Sequence, residues 1–354
     1  MSALESSIAA HLRTERKIPA KKDERFTPPY PSFSARFPTS VVQVTMAYFG
    51  AQHPADADFS TRERARAELD RLVEELGGAN GAGDIDRARY TDEASYETTL
   101  VIAYWSDPAV YDRWRHARTA WTDSSRRTEG LGYFTEVLTP SVDRFETLFS
   151  NDRVEGVSAL ADALSGEVRE HGYWGGSRDR MPLAQIDALE PEGTLHAVAS
   201  SEVRVRPQHN LCLIRSGQDW SDTRDNERAM YLDEVEPVLR EGMDFLRDAG
   251  IDIGCYANRY MTVLDATWRP VDKTFGMSWW HSMAELDAWA ESHPTHVAIF
   301  RAAMRHLRAM AGAAKLRLYH EITVASVDQQ EFVYLDCHPS TGLLRAVSAA
   351  GVVS

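Results

Sequence analysis

The side chains best able to do chemistry in this chain are two histidines, a serine and an arginine. His296 stands in ESHPTHVAIFRAAM. Pro294 suits the first turn of a helix, because its ring fixes φ and its missing N–H has no partner to lose there. From His296, Phe300, Ala303, Met304 and Leu307 follow at four, seven, eight and eleven positions, which puts the imidazole on the apolar stripe of that helix. An imidazole facing an apolar wall is what haem iron requires of a proximal ligand; a core histidine bonded to a carbonyl satisfies the same pattern. His320 lies in KLRLYHEITV, an alternating strand that sends its ring and the Glu321 carboxyl to opposite faces. Near pH 7 an imidazole serves as acid or base, and a half-buried strand histidine is the plain alternative. Ser216, ending LCLIRS, has the setting of a turn serine, and Arg178, in GGSRDR, that of a solvated loop arginine. The three cysteines, Cys212, Cys255 and Cys337, are widely spaced and form no CxxC pair, so neither a zinc knuckle nor a disulfide framework is indicated. Any metal arrives by another route.

The elements that must position these groups come in two similar series. VVQVTMAYFGAQ, from Val41, is matched by HNLCLIRSGQ, from His209, with Phe49-Gly50-Ala51-Gln52 laid against Arg215-Ser216-Gly217-Gln218. Each is followed by a polar, periodic helix: STRERARAELDRLVEELGG in the first, NERAMYLDEVEPVLREGMDFLRDAG in the second. The latter is expected to place Leu232, Val235, Leu239, Met243 and Leu246 near one face. TTLVIAYW leading into SDPAVYDRW parallels KTFGMSWW leading into HSMAELDAW, with nine positions from Trp105 to Trp114 and from Trp280 to Trp289. Phe134-Thr135-Glu136-Val137 parallels Tyr319-His320-Glu321-Ile322.

Each series reads strand, helix, strand, strand, helix, strand. The expected fold is therefore α+β, two ferredoxin-like halves forming an antiparallel β-barrel or sandwich with helices outside. The expected organisation is an extended, Pro-rich arm over 1–40, a first half over 41–150, a connecting insertion over 151–205 and a second half over 206–345, all within one compact domain. The insertion carries HGYWGGSRDRMP, whose aromatic and basic content is unusual for an inert linker.

Thirty-nine basic against fifty-three acidic residues give a formal charge of −14. Such a surface repels phosphate backbones and anionic lipid. No run of 18 apolar residues occurs, and the start, MSALESSIAAHLRTERKIPAKKDERF, lacks the apolar core of a secretory signal. A cytoplasmic protein is expected.

The segments EGLGYFTEV, EHGYWGGSRDRMP, LIRSGQDW, YLDEVEPVLREGMDFLRD, WAESHPTHVAIF, KLRLYHEITV and CHPSTGLLR together resemble the aldoxime dehydratases, over about residues 30 to 345. That resemblance implies an enzyme that removes water from an aldoxime, R–CH=N–OH, at a ferrous b-type haem that binds the oxime nitrogen, and it implies a homodimer. It assigns iron ligation to His296, acid–base work to His320 and a hydrogen bond to the substrate hydroxyl to Ser216. Arg178 matches the arginine of GYWGxxRDR, and Glu136 in GYFTEV matches a glutamate near the haem. The alternatives are a haem peroxidase or chlorite-dismutase-like enzyme on a similar barrel, or a haem carrier or sensor without turnover.

Overall fold

Strand β1 (Thr45–Pro54) is buried along both faces over its first nine residues, so its apolar residues run on instead of alternating with polar ones. Its even positions, Met46 and Tyr48, enter one core, and its odd positions, Ala47, Phe49 and Ala51, enter another. That two-sidedness sets the layering of the whole computed structural model, which describes residues 4–351. After β1 come α1 (Phe59–Leu76), β2 (Asp84–Thr91), β3 (Tyr96–Trp105), α2 (Pro108–His116), β4 (Gly132–Leu138) and β5 (Phe145–Phe149). The connecting stretch supplies α3 (Gly176–Arg180) and a hairpin, β6 (His196–Ala199) and β7 (Val203–Arg206). The second half runs β8 (Leu211–Asp219), α4 (Asp225–Met230), α5 (Glu236–Ala249), β9 (Cys255–Leu264) and β10 (Pro270–Trp280). It continues with α6 (Met283–Ser292), α7 (Pro294–Ala309), β11 (Arg317–Ala325), β12 (Gln330–Leu335) and α8 (Leu344–Ala350).

Twelve strands make one antiparallel sheet in the order β5-β11-β8-β10-β9-β2-β3-β1-β4-β12-β7-β6. Tyr48 and Phe134 from the first half share a core with Phe275 and Trp279 from the second, so the sheet curls round its own inner face. Helices cover the outer face, α1 and α2 over the first half and α5 to α7 over the second. The four-strand runs β2-β3-β1-β4 and β9-β10-β8-β11 follow the same relative order and meet where Thr262–Leu264 pairs with Arg87–Arg89. Each half also gives its last strand away. β5 pairs with β11, and β12 pairs with β4.

The paired tryptophans do the same work twice: Trp105 and Trp114 meet at 5.4 Å between ring centres, Trp280 and Trp289 at 5.7 Å. The register aligns the two series one residue differently from the sequence comparison. Gly50 opposes Phe134 and Gly217 opposes Tyr319, and in both places an aromatic ring lies where a Cβ would be, at 2.2 Å and 2.0 Å. Gly50 therefore corresponds to Gly217, and Phe49 to Ser216. Leu232 is a second difference. A π turn over Tyr231–Val235 advances the helix phase by one residue, so Tyr231 is fully buried and Leu232 is exposed.

The N-terminal arm is extended, bridging Phe33 to Phe149 and Ala35–Arg36 to Ala163–Leu164. The stretch 151–205 is more than a loop, since its hairpin extends the sheet beyond β12. Among the described residues no helix is long and apolar enough to cross a membrane. Gly217→Ala is expected to cost about 1–3 kcal/mol through overpacking against the buried Tyr319 ring. A fall in the thermal midpoint of the holoprotein checks it, and an unchanged midpoint would count against the close approach.

Candidate active site

Four strand pairings line up one row of residues across the outer face of the second half: Leu148, His320, Ser216, Gly276 and Tyr260. Directly opposed residues on neighbouring strands have Cβ atoms about 4.5–5.5 Å apart, so Ser216 and His320 stand side by side. The Ser216 hydroxyl makes no hydrogen bond within the described residues, and both residues are half-buried. Arg215 and Glu321, next along the same strands, point to the inner face. There Arg215 meets Asp86 at 2.7 Å and the Tyr104 hydroxyl at 2.6 Å, and burial raises the Glu321 carboxyl to about 7.

His320 is held by a buried ion pair. Arg180 donates from Nε and Nη2 to the two Glu146 oxygens at 2.6 and 3.1 Å, and from Nη1 to the Glu170 carbonyl at 2.7 Å. The His320 Nε2 lies 2.7 Å from Arg180 Nη2 and 3.1 Å from Glu146 Oε1. Burial opposes ionisation of Glu146, but Arg180 and His320 together hold its carboxyl below the ordinary value. The arrangement serves both states of the ring. Nε2–H donates to Glu146 both in the imidazolium and in the neutral tautomer left when Nδ1 gives up its proton; in the other neutral tautomer Nε2 accepts from Arg180. Nδ1 has no partner within the described residues and is the nitrogen left for a substrate.

Of the HPTH pair, His293 caps α7 and stacks on Phe245 at 4.4 Å. His296, one turn inside the helix, donates from Nδ1 to the Ala290 carbonyl at 2.7 Å. That bond fixes the tautomer and leaves the Nε2 lone pair free. Trp289 and Trp174 flank the ring, at 4.6 and 5.6 Å between ring centres. Burial lowers its pKa to about 4, with nearby His320 adding to the effect, so the ring is a neutral donor at pH 7. The stripe Phe300, Ala303, Met304 and Leu307 is only half-buried, whereas Ala302 and His306 on the other side of α7 are buried. An oriented, unpartnered imidazole beside an apolar stripe left partly open fits a haem and its iron. Among the described residues no group of three or more His, Cys, Asp or Glu side chains is placed to hold a bare metal ion.

A family model described as haem-containing dehydratase matches residues 47–343. The chain belongs to the haem-containing dehydratases. It is 40% identical to the aliphatic aldoxime dehydratase of Pseudomonas chlororaphis over 351 residues, 97% of this chain and 98% of that one. The phenylacetaldoxime dehydratase of a Bacillus species is 30% identical over 333 residues, 91% and 93% of the two chains. A solved aldoxime dehydratase structure superposes with a TM-score of 0.91 at 40% identity, covering 97% of this chain and 98% of that one. Another, in complex with butyraldoxime, also gives 0.91, at 38% identity and covering 97% and 96%.

In this haem-containing dehydratase the structure brings His320 and Ser216 together and sets His296 near them. Neither Arg178 nor Glu136 makes a hydrogen bond or ion pair with His320 or Ser216. Arg178 donates to the Ala188 carbonyl at 2.6 Å, with Asp287 3.7 Å from its Nε; the guanidinium at His320 is that of Arg180. Glu136 is fully buried and paired through both oxygens with Arg259 at 2.6 Å, and it accepts from the Tyr334 hydroxyl at 2.7 Å. It makes no hydrogen bond or ion pair with His320, Ser216, Arg180 or Glu146; the carboxylate at His320 is Glu146. Two sequence signals were available for these groups. Glu146 and Leu148 share a face of a strand whose other positions are Phe145, Thr147 and Phe149, and Arg180 ends the same GGSRDR motif. Glu136→Ala is expected to leave Arg259 buried and unpaired, at a cost of about 3–5 kcal/mol, with turnover per bound haem near that of the parent. A stable Glu136→Ala protein with selectively lost turnover would return Glu136 to the active site.

Proposed function

We propose that this chain dehydrates aldoximes to nitriles on the outer face of its second half, with His320 as acid and base. The observation that carries this is the pairing of Ser216 with His320, the latter held at Nε2 by Arg180 and Glu146, near an oriented and unpartnered His296. His296 holds the haem through Nε2, against Trp174 and Trp289. Held there, a ferrous b-type haem would supply an electron-rich iron able to bind the oxime nitrogen and weaken the N–O bond.

The chain's own groups do the rest. Ser216 hydrogen-bonds the oxime hydroxyl and turns its oxygen toward His320. From Nδ1 the His320 imidazolium gives a proton to that oxygen, so water departs in place of hydroxide, while Glu146 keeps the bond to Nε2. Arg180 holds Glu146 ionised throughout. The neutral ring then takes the carbon-bound proton, so R–CH=N–OH becomes R–C≡N plus water and His320 regains its starting charge. One group serves both steps because giving the first proton creates the base for the second. The geometry favours Arg180 over Arg178, and Glu146 over Glu136, as the charged partners of this step.

The matched strand orders and paired tryptophans support reading the fold as two ferredoxin-like halves arisen by duplication. The homodimer belongs to the same proposal and is checked by sedimentation.

The first test is the visible spectrum of the purified protein, ferric and then dithionite-reduced, with butyraldoxime added without oxygen. A Soret shift on aldoxime addition only after reduction, with nitrile formed, is the expected result. His296→Ala is expected to lose haem. His320→Ala is expected to keep haem and lose about 10²–10⁴-fold in kcat, and Ser216→Ala to weaken the productive pose. Full turnover by His320→Ala would end the acid–base assignment, and haem without nitrile would point to a peroxidase or sensor.

A further inference from the structure

Residues 5–21 are polar and rich in Lys and Arg, the composition of a frayed tail, yet their backbone is fastened along the stretch that carries Arg180. The Glu5 amide donates to the Glu167 carbonyl at 2.8 Å, and the Ser7 amide to the Glu170 carboxylate at 2.8 Å. The Lys17 and Ile18 amides donate to the Gln185 carbonyl at 2.9 and 3.1 Å. The Lys21 amide donates to both Asp179 oxygens, at 2.9 and 3.1 Å, and Arg16 Nη2 to the Asp179 carbonyl at 2.8 Å.

Asp179 is 4% exposed and takes a further hydrogen bond from the Tyr173 hydroxyl at 2.7 Å. It forms no ion pair among the described residues. Burying a carboxylate without a counter-charge carries an effective cost of about several kcal/mol, and the part of the offset that comes from the Lys21 amide exists only while the arm is in place. The next residue is Arg180, and its remaining partner, the Glu170 carbonyl, belongs to the residue whose carboxylate receives the Ser7 amide. A cavity of about 40 Å³ is lined by Ser7, Ala9 and Leu12 of the arm together with Glu146 and Arg180 of the ion pair. It has room for about three waters, and the Ser7 hydroxyl beside it is buried without a protein partner.

We propose that Asp179 is a positioning residue for the dehydration and that residues 5–21 act through it. The arm holds α3 at the depth from which Arg180 reaches Glu146 and His320. This rests on His320 being the acid–base group. A small displacement of the guanidinium leaves Glu146 unpaired and His320 without its orienting bond, and a misplacement of about 1 Å at a reacting centre costs on the order of 100-fold.

The test uses full-length, haem-loaded protein with butyraldoxime as substrate. Asp179→Asn is expected to lower kcat about 10–100-fold, with KM within about twofold, and with haem content and the reduced spectrum unchanged. Arg16→Met, a change on the arm that leaves the interior intact, is expected to lower kcat about two- to fivefold. In an Arg180→Ala background neither change should lower kcat further, because residues acting through one group are non-additive. Losses that multiply in that background, or a lowered thermal midpoint with kcat intact, would overturn the proposal and leave the arm a purely structural brace. Should Asp179→Asn not fold, Arg16→Met decides by the same criterion. A reduced kcat in Arg180→Ala with none in Asp179→Asn or Arg16→Met sinks this inference alone; an unchanged kcat in Arg180→Ala sinks the reading of the His320 cluster and this inference with it.

Discussion

A carboxylate shut away from water stays ionised only if a positive charge meets it, and Glu146 is met by Arg180 through two hydrogen bonds at 4% exposure or less on both sides. Much of the architecture follows from that requirement. Glu146 comes from the last strand of the first half, Arg180 from the connecting stretch and His320 from β11, the fourth of five strands in the second half. The exchange of β5 onto β11 sets the carboxylate beside the imidazole, and the short helix α3 brings the guanidinium in from the side. Removing either charge strands the other in a low-dielectric setting, where the penalty is far larger than for a surface pair.

The two halves have matching layouts and unequal contents. Where the second half places Ser216 opposite His320, the first places Phe49 opposite Thr135. Phe49 packs on Trp114 within a closed apolar cluster under α1 and α2. The corresponding face of the second half is less complete, because α7 leaves its Phe300–Leu307 stripe half-open and its histidine lacks a partner at Nε2. A binding face is thus the same layout with part of its packing withheld.

Much of this was legible in the sequence because the signals are local. The stripe from His296 to Leu307, the alternation around His320 and the two tryptophan spacings each depend on a single helix or strand. What escaped depends on distant chain segments. Arg178 and Arg180 occupy one motif and differ by about 200° around a helix, and nothing local says which of them turns inward. Glu136 and Glu146 both read as strand glutamates; which one meets His320 is decided by pairings across the chain, β5 with β11 for one and β4 with β12 for the other. Leu232 was misplaced by a π turn, which shifts helical phase without leaving a mark in the hydrophobic pattern.

The exchanged strands also bear on the order of synthesis. One edge of β4 is completed by Gln330–Leu335, which leaves the ribosome roughly two hundred residues later, or about 10–40 s at ordinary elongation rates. For that interval a nascent first half presents a bare, hydrophobic strand edge, the kind that invites pairing with another chain. The two halves resemble separate modules in outline, but neither completes its own sheet. The sheet of the first half is complete only after Gln330–Leu335 has been made.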